Sequence, residues 1–180
     1  MESNAFIVQG IALLSPASDH SGVTISFIPK SQSALAASGV IIADGSFSVT
    51  VVAGLYDIKY SKTGYQELLF VDQFINTDLT LNQIILSSKP VVHVSGNVQG
   101  NWLNTNTYMI DGNISIPIGS ELVIEKGTTI QFSGFYQLDI SGKLTAIGTE
   151  EERIIFTTNK TNKARGDWAG IFVRTTTDTT

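Results

Sequence analysis

The sequence predicts an all-β fold in two unlike parts, a small β-sandwich followed by the first coils of a repeating β-structure. Three observations predict it. Apolar and polar residues alternate over short runs in the first 89 residues, as they do in strands with one buried face. Farther along, an apolar pattern recurs every 22 to 24 residues. Charged residues make up only 15% of the chain, which has 16 glycines, a composition that favours strands and turns over helices.

The first part, residues 1–89, contains the clearest strand signals. Apolar and polar residues alternate over residues 47–51 and again over residues 56–61, so each run predicts a strand. Asp44-Gly45 separates the first run from residues 40–42. Because Asp-Gly readily supplies the positive φ values of a tight turn, we expect residues 40–42 to pair with the run that begins at Phe47. Further strands are predicted over residues 6–13, 23–28, 68–71 and 79–86, and about seven short strands indicate a sandwich.

Several short blocks of this part resemble the carboxypeptidase regulatory-like domain, a transthyretin-like sandwich. The blocks occur in the family's order and are Val8-Gln9-Gly10, Gly22-Val23-Thr24-Ile25, Asp44-Gly45-Ser46-Phe47, Ala53-Gly54-Leu55-Tyr56 and Gly64-Tyr65. The resemblance covers about residues 5–88. It implies a non-catalytic accessory module with no catalytic residues to transfer. Leu55 departs from the family, which more often has a small polar residue there.

The second part, residues 90–180, begins at Pro90 and carries the repeat. The equivalent pairs are Ile114 with Leu138, Ile116 with Ile140, Leu122 with Leu144, Ile130 with Ile154, and Phe132 with Phe156. A single coil of this length cannot bury its own apolar row, whereas stacked coils about 4.8 Å apart share one narrow core. We therefore expect the paired residues to lie above one another. Corners are predicted at the glycines that punctuate the repeat, Gly119, Gly127, Gly142 and Gly148.

This second part resembles the N-terminal coils of right-handed parallel β-helix proteins, the pectate-lyase-like superfamily. The matching blocks are residues 119–130, 142–149 and 166–171, and the resemblance covers about residues 96–174. Together the two resemblances imply a small antiparallel β-sandwich followed by the first coils of a right-handed parallel β-helix. That superfamily includes lyases, hydrolases, adhesins and purely structural surface proteins. Its catalytic residues usually lie on later, central coils, so none is assigned here.

Composition and charge weigh against several classes of function. The net charge is −5 and no basic cluster exceeds two residues, so we expect no nucleic-acid partner. The chain has no cysteine, which excludes disulfides and thiolate metal sites. No apolar run approaches the ~18 residues that would span a bilayer. Residues 1–10 lack the pattern of a signal peptide, which leaves a cytoplasmic protein or a mature or expressed form whose signal was removed. The resemblances favour the second, at the cell surface or outside it.

The candidate residues for chemistry favour structural roles. The two histidines, His20 and His93, do not form a metal pair, and we expect His20 to be a solvated loop residue. Asp111-Gly112-Asn113 has oxygens suited to calcium but lacks repeated acidic spacing, so a plain turn is expected. The acidic run at residues 150–152 is expected to be a solvated corner, because adjacent loop carboxylates point in different directions. No enzyme activity, metal or cofactor is predicted.

Two tryptophans are the candidate ligand-binding residues. Trp102 follows Gly-Asn and Trp168 follows Gly-Asp, and an exposed indole face stacks well on a sugar ring. Packing at the coil edge, beside Tyr108, Phe135 or Tyr136, is the favoured alternative. A glycan partner is therefore an open possibility for these positions.

Three functions are compatible with this pattern. The first is a non-catalytic extracellular module for adhesion, glycan binding or surface display. The second is the front end of a β-helix polysaccharide lyase or hydrolase. The third is a self-assembling subunit, because residues 171–174 and the Thr-rich end 175–180 consist mainly of strand-forming residues, with Arg174 and Asp178 as the charged ones. Such an edge recruits another strand, so a second copy of the chain is an expected partner.

Overall fold

The structure is a computed structural model that describes residues 4–31 and 34–174. Within these ranges the chain forms strands and turns and has no helix, which confirms the predicted all-β class. Consequently no helix in the described part has the length and hydropathy needed to cross a membrane. The chain divides into two compact units between Ser88 and Lys89, and each is described by itself.

The first unit is a sandwich of two four-stranded sheets. One sheet has the order β4-β1-β7, with β8 also paired to β1, and the other has the order β3-β2-β5-β6. β1 is antiparallel to β4 but parallel to β7 and β8, and the second sheet is antiparallel throughout. The strands are β1 (Ala5–Ser15), β2 (Thr24–Pro29), β3 (Ala37–Val40), β4 (Ser46–Val52), β5 (Gly54–Ser61), β6 (Leu68–Ile75), β7 (Leu79–Thr80) and β8 (Ile84–Ser87).

The alternating runs put one face of each strand into the core between the sheets. In β4 the buried residues are Phe47, Val49 and Val51, and in β5 the buried face begins at Tyr56 and ends at Tyr60. The predicted strands at residues 6–13, 23–28 and 68–71 correspond to β1, β2 and β6. The predicted strand at residues 79–86 is interrupted and forms the short strands β7 and β8.

The predicted hairpin at Asp44-Gly45 is wrong in its pairing. Gly45 has a φ of 87°, and the Asp44 carboxylate accepts a hydrogen bond from the Ser46 N–H, so the tight turn itself is present. However, β3 pairs with β2 and β4 pairs with β1, in opposite sheets. The turn therefore carries the chain from one sheet to the other, and Ile41 before the turn and Phe47 after it both lie in the core.

The edge strand β6 contains a bulge that matters for the surface described below. The pairing of β6 with β5 shifts near Asp72, whose φ is 57°. The Asp57 carboxylate accepts a hydrogen bond from the Asp72 N–H at 2.9 Å, and Lys30 lies 3.2 Å from Asp57 and 2.6 Å from Asp72. These contacts hold the bulge and place charges beside the strand edge.

The second unit is a stack of parallel coils, each built from short strands joined by corners. The sheets have the orders β10-β12-β15 and β16-β13-β11-β14-β17, with β9 also paired to β11, and all these pairings are parallel. The strands are β9 (Val91–Asn97), β10 (Gly100–Trp102), β11 (Thr107–Ile116), β12 (Glu121–Ile124), β13 (Thr129–Phe132), β14 (Gln137–Ile140), β15 (Lys143–Ala146), β16 (Ile155–Thr158) and β17 (Gly170–Val173).

The coil begins earlier than residue 96, where the resemblance starts. β9 pairs with β11 in two stretches, from Val91 beside Thr107 and again from Gly96 beside Ile114, so β9 and β10 form a first coil. Three coils and the first two strands of a fourth lie within the described residues.

Three of the five predicted stacking pairs are confirmed and two are wrong. Ile114 lies beside Leu138, Ile116 beside Ile140, and Leu122 beside Leu144. The other two pairs are displaced by two residues, because Ile130 lies beside Phe156 and Phe132 lies beside Thr158. The physical reason is the connection from β15 to β16, residues 147–154, which is four residues longer than the connection from β12 to β13, residues 125–128. It raises the spacing of paired residues from 22 between β12 and β15 to 26 between β13 and β16, whereas the prediction used 24.

One glycine corner depends on close approach of the backbone. A Cβ on Gly142 would lie 2.2 Å from the Pro117 carbonyl oxygen and 2.4 Å from that of Ser120. These backbone atoms belong to the corner of the preceding coil, so a side chain at Gly142 would push the two corners apart.

The last coil has an apolar and partly open end. Leu144 and Phe156 are only half-buried, although the equivalent residues of the preceding coil, Leu122 and Ile130, are fully buried. Exposed apolar residues continue through the last strands: Ile155, Ile171, Phe172 and Val173. Within the described residues, β16 and β17 each pair with a strand on one side only.

Candidate functional site

Trp102 lies in the core of the coil. It is 6% exposed, and its ring stacks on Tyr108 with a centroid separation of 4.3 Å and an angle of 7° between the planes. The Tyr108 hydroxyl accepts a hydrogen bond from the Leu103 N–H at 2.8 Å, which holds the pair against the corner. Both the burial and the stacking favour the packing alternative for Trp102, because neither ring face is open to a sugar.

Trp168 belongs to the connection between β16 and β17 and is half-buried. Its ring stacks on Phe132 at 4.3 Å and lies 6.4 Å from Phe156. The connection is held by Asp167, which accepts hydrogen bonds from the Lys160 ammonium at 2.7 Å and from the Ala164 N–H at 2.7 Å. One indole face therefore completes the core of the last coils, and glycan contact at Trp168 stays a prediction.

The charged residues of the coil form pairs that connect successive coils. Glu121 lies beside Lys143 in the next coil at 2.9 Å, and Asp139 lies 2.6 Å from Arg174. Lys126 forms an ion pair with Glu152, so part of the acidic run at 150–152 is engaged.

A second polar ladder was not expected from the sequence. His93 Nδ1 is 2.5 Å from the Asp111 carboxylate, whose other oxygen accepts a hydrogen bond from the Ser133 hydroxyl at 2.8 Å. These three residues lie on three successive coils. Asp111 thus occupies an interrupted stretch of β11 and not a free turn. Because Asp111 stands between His93 and Ser133, the histidine does not contact the hydroxyl and cannot act as its base in this arrangement.

These partners lower the pKa values of the carboxyl groups. The hydrogen bond from His93, with a smaller contribution from Ser133, lowers the pKa of Asp111. Lys143 lowers the pKa of Glu121, and Gln137 and then Arg174 lower that of Asp139. Each of these shifts favours the ionised form, so the carboxylates serve as fixed acceptors between coils.

Neither histidine occupies a metal site. His20 accepts a hydrogen bond at Nδ1 from the Leu14 N–H at 3.0 Å, so it supports the loop and is not merely solvated. Across residues 4–31 and 34–174, no group of three or more His, Cys, Asp or Glu side chains is placed to hold a metal ion.

The sandwich has a cleft that sequence reasoning missed. It lies where the edge strand β6 faces the connection between β7 and β8, and its volume is about 140 Å³. We call it the sandwich cleft. The lining residues are Ile58, Tyr60, Phe70, Gln73, Leu81, Asn82 and Ile84. A sequence signal existed: residues 68–71 are all apolar, although a strand with one buried face alternates.

The hydroxyl of Tyr60 is the unusual group in this cleft. Tyr60 is 1% exposed, yet no residue in the described ranges forms a hydrogen bond with its hydroxyl. In the same ranges every fully enclosed side-chain nitrogen or oxygen has a partner. The hydroxyl is therefore not fully enclosed, and Tyr60 is one of the residues that line the sandwich cleft. Burial raises the pKa of Tyr60 to about 12, so the hydroxyl stays a neutral donor.

Comparison with known families supports the fold of the second unit. Residues 94–179 match the family model described as a pectate-lyase like beta helix domain. The chain is thus an all-β protein in which a sandwich precedes the start of a β-helix. No finding confirms the carboxypeptidase regulatory-like resemblance of the first part. A comparison with curated proteins gave no match.

Two solved structures illustrate what the chain is similar to in three dimensions. They are an N-terminal and a C-terminal interface mutant of a type II Cohesin-X-Dockerin complex from Acetivibrio cellulolyticus. Each is 19% identical with a TM-score of 0.40, over 47% of this chain and 58% of the solved chain. The similarity therefore spans less than two thirds of those chains.

Proposed function

We propose that this chain is a non-catalytic binding module that works outside the cell or at its surface. The observation that carries the proposal is that carboxylates of the coil are already engaged in hydrogen bonds within the protein. Asp111, Glu121, Asp139 and Asp167 each accept hydrogen bonds from a neighbouring side chain or backbone group. A glycosidase needs two carboxyl groups facing each other across about 5–10 Å, with one of them raised in pKa. The carboxyl groups named here have lowered pKa values instead.

The experiment measures binding and turnover on the same polymers. The full chain is incubated with pectin, alginate and cell-wall polysaccharides, and co-sedimentation and release of reducing or unsaturated ends are both recorded. Binding without turnover is expected. Turnover that disappears in the Asp139→Asn or Asp111→Asn variant would overturn the proposal and favour a lyase or hydrolase.

A second candidate is self-assembly through the last coil. The observation that favours it is the exposed apolar end, where Ile171 is 42% and Val173 is 74% exposed, beside strands whose outer edges have no described partner. Parallel strands present rows of unpaired N–H and C=O groups there, and a second copy can supply the complementary row.

Sedimentation velocity of the full chain over a range of concentrations separates the two candidates. Self-assembly predicts species larger than a monomer at tens of micromolar, and these should dissociate in a Val173→Lys variant, which places a charge at the edge. A strictly monomeric chain with full strand content would exclude this mode of assembly. The matched control is Ile118→Lys, since Ile118 is 69% exposed but lies at a corner of an inner coil.

A further inference from the structure

We propose that the sandwich cleft binds one neutral sugar ring, such as the terminal pyranose of a glycan. The inference rests on the proposed function of a binding module and names the ligand class and the site. It moves the expected glycan contact from the two tryptophans of the coil to the edge of the sandwich.

The walls of the cleft suit the apolar face of a pyranose. Phe70 is 41% exposed, and its ring meets Tyr60 edge-on at 6.0 Å with an angle of 84°. Leu81, from the connection between β7 and β8, and Ile84, the first residue of β8, complete the apolar lining. An exposed aromatic ring beside aliphatic side chains provides a surface for the C–H groups of one sugar face, while a few polar groups fix its orientation.

Neutral hydrogen-bonding groups stand among these apolar walls. The Tyr60 hydroxyl lacks a protein partner in the described ranges. Gln73 uses one amide N–H to donate to the Val71 carbonyl at 2.7 Å, which leaves its other N–H and its carbonyl oxygen for a ligand. Asn82 adds a second, exposed amide. Together they offer donors and acceptors in the mixture that sugar hydroxyls require.

The absence of charge from the lining residues selects a neutral ligand. The seven residues that line the cleft include no Asp, Glu, Lys or Arg. A uronate or a phosphorylated ligand would lose water from its charge without gaining a counter-ion, which is costly in an apolar site. A neutral hexose or N-acetylhexosamine meets no such penalty.

The edge of β6 argues against an extended peptide as the ligand. Strand addition needs a regular row of free backbone groups. The bulge at Asp72 breaks that row, and Lys30 with Asp57 and Asp72 places charges beside it, which are two devices that protect sheet edges. The cleft therefore favours a compact ligand over a strand.

The size of the cleft sets the expected affinity. Its volume of about 140 Å³ is below the range of about 300–1,000 Å³ that is typical of sites for larger ligands, so one ring is the natural occupant. At about −0.3 kcal/mol per non-hydrogen atom, a hexose of about 12 such atoms binds with a dissociation constant in the millimolar range. Several copies on one surface would be needed for firm attachment.

The test is a titration of the ¹⁵N-labelled full chain, followed by NMR, with glucose, galactose, mannose and N-acetylglucosamine, and with glucuronate as the charged comparison. We expect saturable shifts at Phe70, Gln73 and Asn82 with at least one neutral sugar and weaker shifts with glucuronate. Phe70→Ala should weaken binding at least fivefold. Phe74→Ala is the matched control, because Phe74 is 65% exposed on the same strand and does not line the cleft.

Tyr60→Phe separates a binding role from a structural one. Because the hydroxyl has no described protein partner, removing it should leave the melting temperature unchanged while it weakens sugar binding severalfold. A lower melting temperature with unchanged binding would contradict the proposed role.

Three results would overturn the proposal. One is the absence of cleft shifts with every neutral sugar up to about 50 mM, far above the expected dissociation constant. Another is binding that survives Phe70→Ala, in which case polysaccharide binding elsewhere would leave the proposed function standing while the cleft assignment fails. The third is equal or tighter binding of glucuronate, or of an apolar peptide that displaces the sugar. Polymer turnover by the chain would instead defeat the proposed function.

Discussion

Truncation of the apolar ladder in the coil gives the sharpest test of the stacking. Ile114, Leu138 and Ile171 lie beside one another on three successive coils, and Leu138 is fully buried whereas Ile171 is 42% exposed. Leu138→Ala removes three carbon atoms, worth about 2.4 kcal/mol in transfer free energy at ~0.8 kcal/mol each. The enclosed cavity adds to this, so the free energy of unfolding should fall by about 3–4 kcal/mol.

The end of the same ladder is the matched control. Ile171→Ala removes the same number of carbon atoms, but its partial exposure scales the transfer term to about 1.4 kcal/mol, and no closed cavity forms. Urea unfolding followed by tryptophan fluorescence reports on the coil specifically, because both tryptophans, Trp102 and Trp168, lie in the second unit. A loss below about 1 kcal/mol for Leu138→Ala would refute the ladder as a core. Equal losses in the free energy of unfolding for the two variants in a monomeric sample would refute the interpretation that the end of the coil is open.

Three further predictions concern a corner, a titration and a fragment. Gly142→Ala should destabilise the coil by more than about 2 kcal/mol in the same urea assay, because its Cβ would meet the Pro117 carbonyl at 2.2 Å, whereas Ser141→Ala should stay within about 0.5 kcal/mol. The raised pKa of Tyr60, about 12 against an ordinary value of 10.0, means that the unfolded side chain ionises first as the pH rises. Stability is therefore lost above pH 10, and thermal melts should show a smaller loss in Tyr60→Phe. A fragment of residues 1–89 should melt cooperatively by circular dichroism, because the sandwich has a core of its own, and an unfolded fragment would contradict this.

Local alternation made the strands predictable, but not every pairing. Residues 47–51 and 56–61 bury one face each, as their period of two indicates. The turn at Asp44-Gly45 was also predictable, because it depends only on the φ values that these two residues adopt. Which sheet each flanking strand joins depends on contacts with β1 and β2, far away in the sequence, and no local signal carries that information.

The coil shows the same division between local pattern and register. The pairs Ile114–Leu138 and Leu122–Leu144 were predicted because their spacings, 24 and 22 residues, match the apolar repeat that the sequence shows. Ile130 was assigned to Ile154 although it lies beside Phe156. Both candidates are apolar and two residues apart, so they point to the same face, and a shift of two residues in register leaves the apolar pattern intact.

The candidate site was less predictable, because Tyr60, Phe70 and Leu81 meet only after the sheets pack.

The connections of the coil differ in length while the strands they join keep their register. The connection from β13 to β14 has four residues, 133–136, whereas the equivalent one from β16 to β17 has eleven, 159–169. β14 and β17 nevertheless pair residue for residue. The loops that leave the stack can therefore be exchanged without changing which residues of the strands pair. A foreign epitope or affinity tag grafted into residues 161–163, which are exposed, should be displayed while the strands on either side stay paired.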